Sequence, residues 1–234
     1  MRGASGGKPR WLVVTDVAAV IFDLDGVLVD SETIWDDARR SLVEEQGGTW
    51  LATATRDMMG MSSREWSVYV RDRLGVRLEP EEISSRVADD VAQRYRDHLP
   101  LLPGARDAVL RFSSAWPLGL ASSSNRAIIE QFLDASGLRS SFAVTLSSEE
   151  VARGKPAPDV YLTAAAALRE EPDRCVAIED STNGLAAALA ARMTAIAVPN
   201  RHFPPSPEVL SRAALVVASL VDLTEEEIRR SATS

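Results

Sequence analysis

The sequence predicts an α/β protein whose core is a doubly wound parallel sheet of the Rossmann-like type and which carries an inserted α-helical cap domain. Two observations support this prediction. Short apolar runs of strand length alternate with helical patterns along most of the chain. Residues 31–96 interrupt that alternation with charged amphipathic helical segments and no convincing strand. Because strand–helix–strand connections are right-handed, the strands are expected to lie parallel in one sheet.

Five apolar runs are predicted to form the buried strands. They lie at residues 17–22, 117–121, 142–146, 175–178 and 194–198. Runs that are apolar along their whole length are typical of strands that helices cover on both faces. The first run ends abruptly in the sequence DLDG, so its end is the first place to look for chemistry.

Helical patterns fill the intervals between these runs. Residues 126–136 place their apolar side chains on one face, and Gly137 follows as a C-cap. Residues 159–169 and 182–191 are rich in alanine, a strong helix former. The alternation of strand and helix therefore continues to the last predicted strand.

The interruption of this alternation sets the expected domain boundaries. We expect residues 1–30 and 97–234 to form the Rossmann-like core, and residues 31–96 to form the helical cap. Residues 1–12 are rich in glycine and carry no pattern, so we expect a flexible tail there.

Composition limits the expected partners and location. Of 234 residues, 45% are apolar and 26% are charged, which is typical of a folded globular protein. A net charge of −8 offers no general attraction for nucleic acid or anionic membranes, and no apolar run approaches the roughly 18 residues of a membrane span. No secretory signal is recognisable at the start. We expect a cytoplasmic protein without nucleic-acid or membrane partners, and by default a monomer or weak homo-oligomer.

Charged and polar residues lie where the predicted strands end. They are Asp23 and Asp25 after the first run, residues 122–125 (SSSN) after the second, Lys155 before the helix at 159–169, and Glu179 and Asp180 after the fourth. Ligands of open parallel sheets bind beyond the carboxyl ends of the strands. We therefore expect these side chains to meet at one edge of the sheet.

These residue types suit phosphoryl transfer. A carboxylate can attack phosphorus and form an aspartyl phosphate, and Asp23 is the candidate nucleophile. A phosphate and an attacking carboxylate repel each other unless a hard cation lies between them, and Mg²⁺ prefers oxygen ligands. The predicted ligands are Asp23 and Asp180, with Glu179 nearby.

Three further residues complete the predicted catalytic set. Asp25, two positions after the candidate nucleophile, can turn toward the leaving group, donate a proton and then activate water. The Ser122 hydroxyl and the Lys155 ammonium group can hold the remaining phosphoryl oxygens. Lys155 is conspicuous because Lys8 is the only other lysine among 26 basic residues.

Substrate-binding residues are predicted in two places. Ser123 and Asn125 lie in the same loop as Ser122, although turn formation explains them equally well. In the cap, Arg64 can reach the distal group of a substrate, or face solvent as most helix arginines do. Trp35 can contact a substrate or serve as an anchor of the cap core.

On these residues the chain resembles the haloacid dehalogenase-like superfamily, in the subgroup with a helical cap that includes beta-phosphoglucomutase and sugar-phosphate phosphatases. The resemblance covers the chain from residue 17 to about residue 198. Four motifs carry it, in order: DxD followed by glycine at residues 23–26, Ser122, Lys155 in GKPAPDVY, and Glu179 with Asp180 in IEDSTNG.

The resemblance implies a role for each motif. In this family the first aspartate is the nucleophile and the second is the acid and base, which here are Asp23 and Asp25. The family holds Mg²⁺ by the first aspartate, the backbone carbonyl of the second and an acid of the fourth motif. On this sequence those ligands are Asp23, the carbonyl of Asp25, and Asp180.

Departures from related patterns narrow the expected activity. Dehalogenases of this family do not normally carry the second aspartate, Asp25, and the cap has no lysine for the Schiff base of phosphonate-cleaving relatives. Trp35 stands where beta-phosphoglucomutase has a cap histidine. We expect a Mg²⁺-dependent phosphatase that hydrolyses a small phosphorylated metabolite, such as a sugar phosphate, through an aspartyl phosphate. The alternatives are a phosphomutase like beta-phosphoglucomutase, a noncatalytic binding module, and a paired-carboxylate glycosidase that needs no metal.

Overall fold

A computed structural model describes residues 17–58, 61–200 and 203–233. The predicted flexible tail at residues 1–12 lies outside the described residues. Among the residues described, no helix combines the length and the apolar composition needed to cross a membrane.

The core is one six-stranded parallel sheet with strand order β3-β2-β1-β4-β5-β6. Its strands are β1 (Ala19–Phe22), β2 (Leu118–Ser122), β3 (Val144–Ser147), β4 (Cys175–Glu179), β5 (Thr194–Ala197) and β6 (Leu215–Val216). The chain first builds outward from β1 through β2 to β3, and then returns to place β4 on the other side of β1. This reversal is the topological switch of doubly wound sheets. The predicted fold class is confirmed.

Both faces of the sheet are covered, as the apolar runs predict. Val20 and Phe22 pack in the cluster that includes helices α5 (Ala105–Ser113) and α6 (Arg126–Ser136). Ala19 and Ile21 point to the opposite cluster, against α7 (Asp159–Leu168) and α8 (Thr182–Ala190). Alternate residues of β1 therefore serve two different cores, which requires every position of the strand to be apolar. Two short helices, α9 (Pro207–Leu210) and α10 (Glu225–Ser231), follow later in the chain.

Four helices lie between β1 and β2, and no strand is present among the described residues there. They are α1 (Glu32–Glu45), α2 (Ala54–Met58), α3 (Ser63–Leu74) and α4 (Pro80–Asp97), and together they are called the helical insertion. Helix α4 packs against α1, α3 and the core helix α6. The insertion therefore has a helical core of its own and rests on the carboxyl-terminal side of the sheet, where the predicted site residues lie.

Helix ends follow local sequence signals. The side-chain oxygen of Asn125 accepts a hydrogen bond from the backbone N–H of Ile128 and caps α6, and Gly137 ends that helix in the left-handed conformation with φ of 68°. Helix α7 ends one residue earlier than the predicted range because Arg169 adopts φ of 62°. The capping of α6 fixes the direction of the loop after β2, which carries part of the site.

Candidate active site

Adjacent strand ends bring the first motif beside the fourth. Asp23 follows β1 directly, and its backbone N–H donates a hydrogen bond of 3.0 Å to the carbonyl oxygen of Ile178 in β4. This bond continues the β1–β4 ladder by one residue, so the Asp23 side chain emerges at the edge beside Glu179, the last residue of β4. Both side chains are buried.

Lys155 joins three strand ends. Its ammonium nitrogen donates to Asp23 Oδ1 at 2.6 Å, to Glu179 Oε1 at 2.6 Å and to the carbonyl oxygen of Ala121 in β2 at 3.0 Å. The residue is only 5% exposed. Burial favours the neutral amine, but the two carboxylates outweigh that effect and raise the pKa of Lys155 above its ordinary value. Lys155 is therefore a fixed cation at the centre of the sheet edge.

Tyr161 supports this centre and was not predicted. Its hydroxyl donates to Glu179 Oε1 at 2.6 Å, and its ring lies 5.0 Å from the Lys155 nitrogen. Burial and the nearby carboxylates of Glu179 and Asp23 raise the pKa of Tyr161 well above its ordinary value, so the hydroxyl remains a donor. The signal that points to Tyr161 is its place in GKPAPDVY, where the first turns of α7 carry it back under Lys155.

Three carboxylates form a cluster suited to a cation. Oxygen atoms of Asp23, Glu179 and Asp180, here called the acidic triad, lie within 4.8 Å of one another. Burial is the largest cause that raises the pKa of Asp23, to about 8, and that of Asp180 well above its usual range; the other carboxylates add to both effects. Lys155 is their one close cation among the described residues, so full ionisation of the three acids would leave two negative charges uncompensated. A divalent cation with a preference for oxygen ligands fits this donor set.

Two glycines make room for the acidic triad. Gly26 has φ of 78°, and a Cβ atom there would overlap the carboxylate of Asp180. A Cβ atom on Gly184, in the first turn of α8, would overlap the carboxylate of Glu179. Both glycines lie in predicted motifs, Gly26 at the end of DLDG and Gly184 at the end of IEDSTNG, but no role was predicted for Gly184. The sequence alone shows no reason for a glycine inside a helix, because the carboxylate that it accommodates comes from the preceding strand.

Asp25 lies apart from the acidic triad and is held by four donors. Its Oδ1 accepts from the Ser31 hydroxyl at 2.6 Å and from the Trp35 indole N–H at 3.1 Å. Its Oδ2 accepts from the hydroxyls of Ser124 at 2.6 Å and Ser122 at 3.3 Å. Donors from the helical insertion and from the loop after β2 thus orient one carboxylate between them.

A cavity opens between the sheet edge and the helical insertion. Its core wall consists of Asp23, Asp25, Ser123, Ser124, Lys155, Asp180, Ser181 and Asn183. Its insertion wall consists of Ser31, Glu32, Trp35, Arg39, Thr55, Met58, Met61, Ser63 and Trp66. The core wall carries the lysine and the three aspartates, while the insertion wall adds aromatic and thioether surface together with Glu32 and Arg39.

The predicted substrate-binding residues are placed differently from one another. Ser123 and Trp35 line the cavity. Asn125 does not line it, because its side chain caps α6. Arg64 is exposed and lies outside the lining, because the second residue of α3 faces solvent, whereas Arg39 from α1 lines the cavity. The choice between two cap arginines depends on helix orientation, which the sequence pattern does not contain.

The fold and the site define a class: a Rossmann-like α/β protein with a carboxylate and lysine centre under a helical insertion. Residues 17–192 match the family model for haloacid dehalogenase-like hydrolases. The chain belongs to this family. The family prediction made from the four motifs is confirmed.

Relatives with named activities cover nearly the whole chain. The chain is 34% identical over 229 residues to hexitol phosphatase B of Escherichia coli strain K12, covering 91% of this chain and 96% of that protein. It is similar in structure to beta-phosphoglucomutase from Clostridium difficile, with a TM-score of 0.80 and 25% identity over 93% of this chain and 97% of the other. The prediction of an enzyme of the phosphoric monoester hydrolase type is confirmed.

A second solved structure shows a ligand. A variant of CbbY from Rhodobacter sphaeroides in complex with xylulose-(1,5)bisphosphate has a TM-score of 0.78 and 25% identity, covering 88% of this chain and 96% of that one. In that structure, a phosphorylated sugar is bound to a protein of similar fold.

Proposed function

We propose that the protein is a Mg²⁺-dependent phosphatase that hydrolyses a small phosphorylated metabolite, in the class of sugar phosphates, through an aspartyl phosphate on Asp23. One observation carries the proposal: Asp23 and Asp180 share a buried acidic cluster that opens into a cavity, with Lys155 bound to the candidate nucleophile at 2.6 Å. The similarity to hexitol phosphatase B supports the substrate class.

The acidic triad supplies the metal ligands in this proposal. Asp23, Asp180 and the backbone carbonyl of Asp25 would hold Mg²⁺, with Glu179 behind them, bound to Lys155 and Tyr161. When bound, the ion would neutralise charge on the phosphoryl oxygens and so allow a carboxylate to approach phosphorus. The four family motifs assign these ligands, and the negative charge of the acidic triad suits a divalent cation.

The chain's own residues perform the first step. A carboxylate oxygen of Asp23 attacks phosphorus and forms a P–O bond, while the bond from phosphorus to the sugar oxygen breaks. Asp25 donates its proton to the departing oxygen. Lys155, bound to Asp23 and Glu179, stabilises negative charge on the phosphoryl group as it moves to the enzyme.

The second step restores the enzyme. Asp25, now a carboxylate, takes a proton from water, whose oxygen attacks phosphorus; the bond from phosphorus to Asp23 breaks, inorganic phosphate leaves and the Asp23 carboxylate is restored. The four side chains that contact Asp25 keep its carboxyl group at the cavity in both steps. The helical insertion acts as a cap that limits the access of bulk water and selects the leaving group.

A phosphomutase remains the alternative because beta-phosphoglucomutase shares the fold at 25% identity. The observation that favours hydrolysis is Trp35. The Trp35 indole N–H donates to Asp25. Because an indole ring has no basic nitrogen, Trp35 cannot exchange a proton with the substrate as a histidine would. A mutase would return the phosphoryl group to the sugar. Formation of an isomeric sugar phosphate without release of inorganic phosphate would therefore show a mutase and contradict this proposal.

Metal dependence tests the proposal directly. We expect phosphate release from a panel of sugar phosphates, phosphoglycolate and nucleotides, its loss after treatment with a chelator, and its return on addition of Mg²⁺. The unfolding temperature of the chelated protein should rise on addition of Mg²⁺, because the ion relieves repulsion within the acidic triad. Full turnover in the presence of a chelator would instead favour metal-free acid–base chemistry. Cytoplasmic location and a monomer or weak homo-oligomer stay predictions.

A further inference from the structure

Two polar atoms on the insertion wall are buried without a hydrogen-bond partner among the described residues. They are Nε of Arg39 and Oγ of Ser63, and both residues line the cavity. Buried polar groups in native proteins are nearly always hydrogen-bonded, because an unpaired one costs about 1–3 kcal/mol. The two atoms therefore indicate a partner that enters from the cavity.

Arg39 is held in place by two indole rings. Its guanidinium carbon lies 5.1 Å from the ring centroid of Trp35 and 4.8 Å from that of Trp66, and the two centroids are 6.1 Å apart. These contacts engage the positive charge through the indole faces and use none of the guanidinium N–H groups, which stay available for hydrogen bonds. The side chain is thus oriented before any ligand binds.

Asp36, the carboxylate nearest to Arg39 in sequence, makes its hydrogen bonds with other residues. Asp36 accepts hydrogen bonds from the Thr55 hydroxyl and from Arg40, the latter at 3.3 Å. Burial lowers the pKa of Arg39 to about 10, while the charges of Asp36 and Asp25 oppose that effect, so the group is cationic at neutral pH. Among the described residues no carboxylate forms a salt bridge with Arg39, although Asp36, Asp25 and the lining residue Glu32 are nearby, so a cation free to bind an anion faces the cavity.

We propose that Arg39, assisted by Ser63, binds a second anionic group of the substrate, a carboxylate or a phosphate, at the end opposite the transferred phosphoryl group. This proposal rests on the proposed phosphatase function. The guanidinium edge matches the oxygen geometry of either anion. Ser63 is the first residue of the 12-residue helix α3, whose N-terminal dipole favours an anion at the same point. A neutral polyol at this position leaves the Arg39 charge without a partner.

Matched substrates test the proposal. 6-Phosphogluconate and glucitol 6-phosphate share an open six-carbon chain and differ in a carboxylate against a hydroxymethyl group at the far end. Fructose 1,6-bisphosphate and fructose 1-phosphate differ in a distal phosphate. We expect kcat/KM to be about 10- to 100-fold higher for the anionic member of at least one pair, and the winning pair distinguishes carboxylate from phosphate.

Three glutamine variants assign the selectivity to one residue. Arg39→Gln should lose about 10- to 100-fold in kcat/KM on the preferred anionic substrate and less than about threefold on its neutral partner. Arg40→Gln removes the same charge from the next position of α1, which is exposed and outside the lining, and should change neither value. Arg64→Gln tests the competing cap arginine. Equal losses on both substrates in Arg39→Gln, or a selective loss in Arg64→Gln, would overturn the proposal.

A binding measurement separates this proposal from the proposed function. Calorimetric titration of Asp23→Asn with 6-phosphogluconate, glucitol 6-phosphate and the two fructose phosphates requires no turnover. Tighter binding of an anionic member, abolished by adding Arg39→Gln, supports the subsite even if wild type releases no phosphate. Equal affinity within both pairs overturns it even if wild type is an active phosphatase. Unfolding temperatures of all variants show whether a loss reflects misfolding.

Discussion

The two walls of the cavity differ in how fully their polar side chains are hydrogen-bonded. On the core wall, charged groups are bound several times over: Lys155 has three acceptors and Asp25 has four donors. On the insertion wall, Arg39 and Ser63 each keep a buried polar atom without a partner among the residues described. The hydrogen bonds of Lys155 and Asp25 therefore exist before a substrate arrives, whereas in our proposal those of Arg39 and Ser63 are completed by the substrate.

This difference teaches where chemistry and selectivity reside. Groups that must act on any phosphoryl group profit from being fixed in advance, since preorganised charge costs no rearrangement during the reaction. Groups that distinguish substrates should instead have donors without a partner in the free enzyme. A substrate that lacks the matching acceptor leaves these donors unpaired and therefore binds more weakly. Removing side chains from the two walls should therefore have unequal consequences.

The largest effect is expected at the candidate nucleophile. Asp23→Asn keeps the size of the side chain but cannot form an aspartyl phosphate, so kcat should fall by about 10³-fold or more while ligand binding persists. Asp107→Asn, at an exposed position of α5, is the matched control and should retain full activity. Phosphate release under saturating substrate measures both. Turnover of Asp23→Asn equal to that of the control would refute the nucleophile assignment.

The next effect tests how tightly the core wall is packed. In Gly184→Ala the added methyl group overlaps the Glu179 carboxylate, which Lys155 and Tyr161 hold in place. We expect a loss of about 2–4 kcal/mol in the free energy of unfolding, measured by urea denaturation. Gly75→Ala meets no neighbour within 4 Å and should lose about 1 kcal/mol from its positive φ of 81° alone. Equal losses in the two variants would show that the carboxylate moves freely.

Much of the sheet was predictable because it depends on local pattern. All five predicted strands form, within two residues of their expected ends. The sixth, Leu215–Val216, was not predicted because two residues at the sheet edge carry no periodic signal. The domain boundaries at residues 30/31 and 96/97 stay a prediction, although the helical character of the segment between them is observed.

The site was predictable to the extent that strand ends converge. Asp23, Lys155 and Asp180 meet because parallel strands share one edge, a rule that the sequence already contains. Ser124, which binds Asp25, was not distinguished from its neighbour Ser123, because two serines in one loop look alike in sequence. Arg39 was missed because the orientation of α1 above the sheet depends on the packing of the whole helical insertion.

A smaller effect is expected at the supporting tyrosine. Tyr161→Phe removes one donor from Glu179 but leaves the bond from Lys155, so the free energy of unfolding should fall by about 1–2 kcal/mol. Tyr69→Phe is the matched control, because the Tyr69 hydroxyl donates to exposed Asp57 on the insertion surface at 2.9 Å. That variant should lose less than about 0.5 kcal/mol. If Tyr69→Phe lost as much stability as Tyr161→Phe or more, burial would add nothing to the strength of the hydrogen bond between Tyr161 and Glu179.

The smallest effect contrasts two serines across the cavity. Ser124→Ala removes a 2.6 Å hydrogen bond to Asp25 and should cost about 0.5–1.5 kcal/mol, because the carboxylate loses one of its four donors. Ser63→Ala removes a buried hydroxyl that has no partner among the described residues, so stability should stay within about 0.5 kcal/mol of wild type or rise. Helix α3 keeps its cap, since Ser62 and Glu65 form it. A loss in Ser63→Ala equal to that in Ser124→Ala, measured without ligand, would mean that the insertion wall is already complete, and the contrast between the two walls would fail.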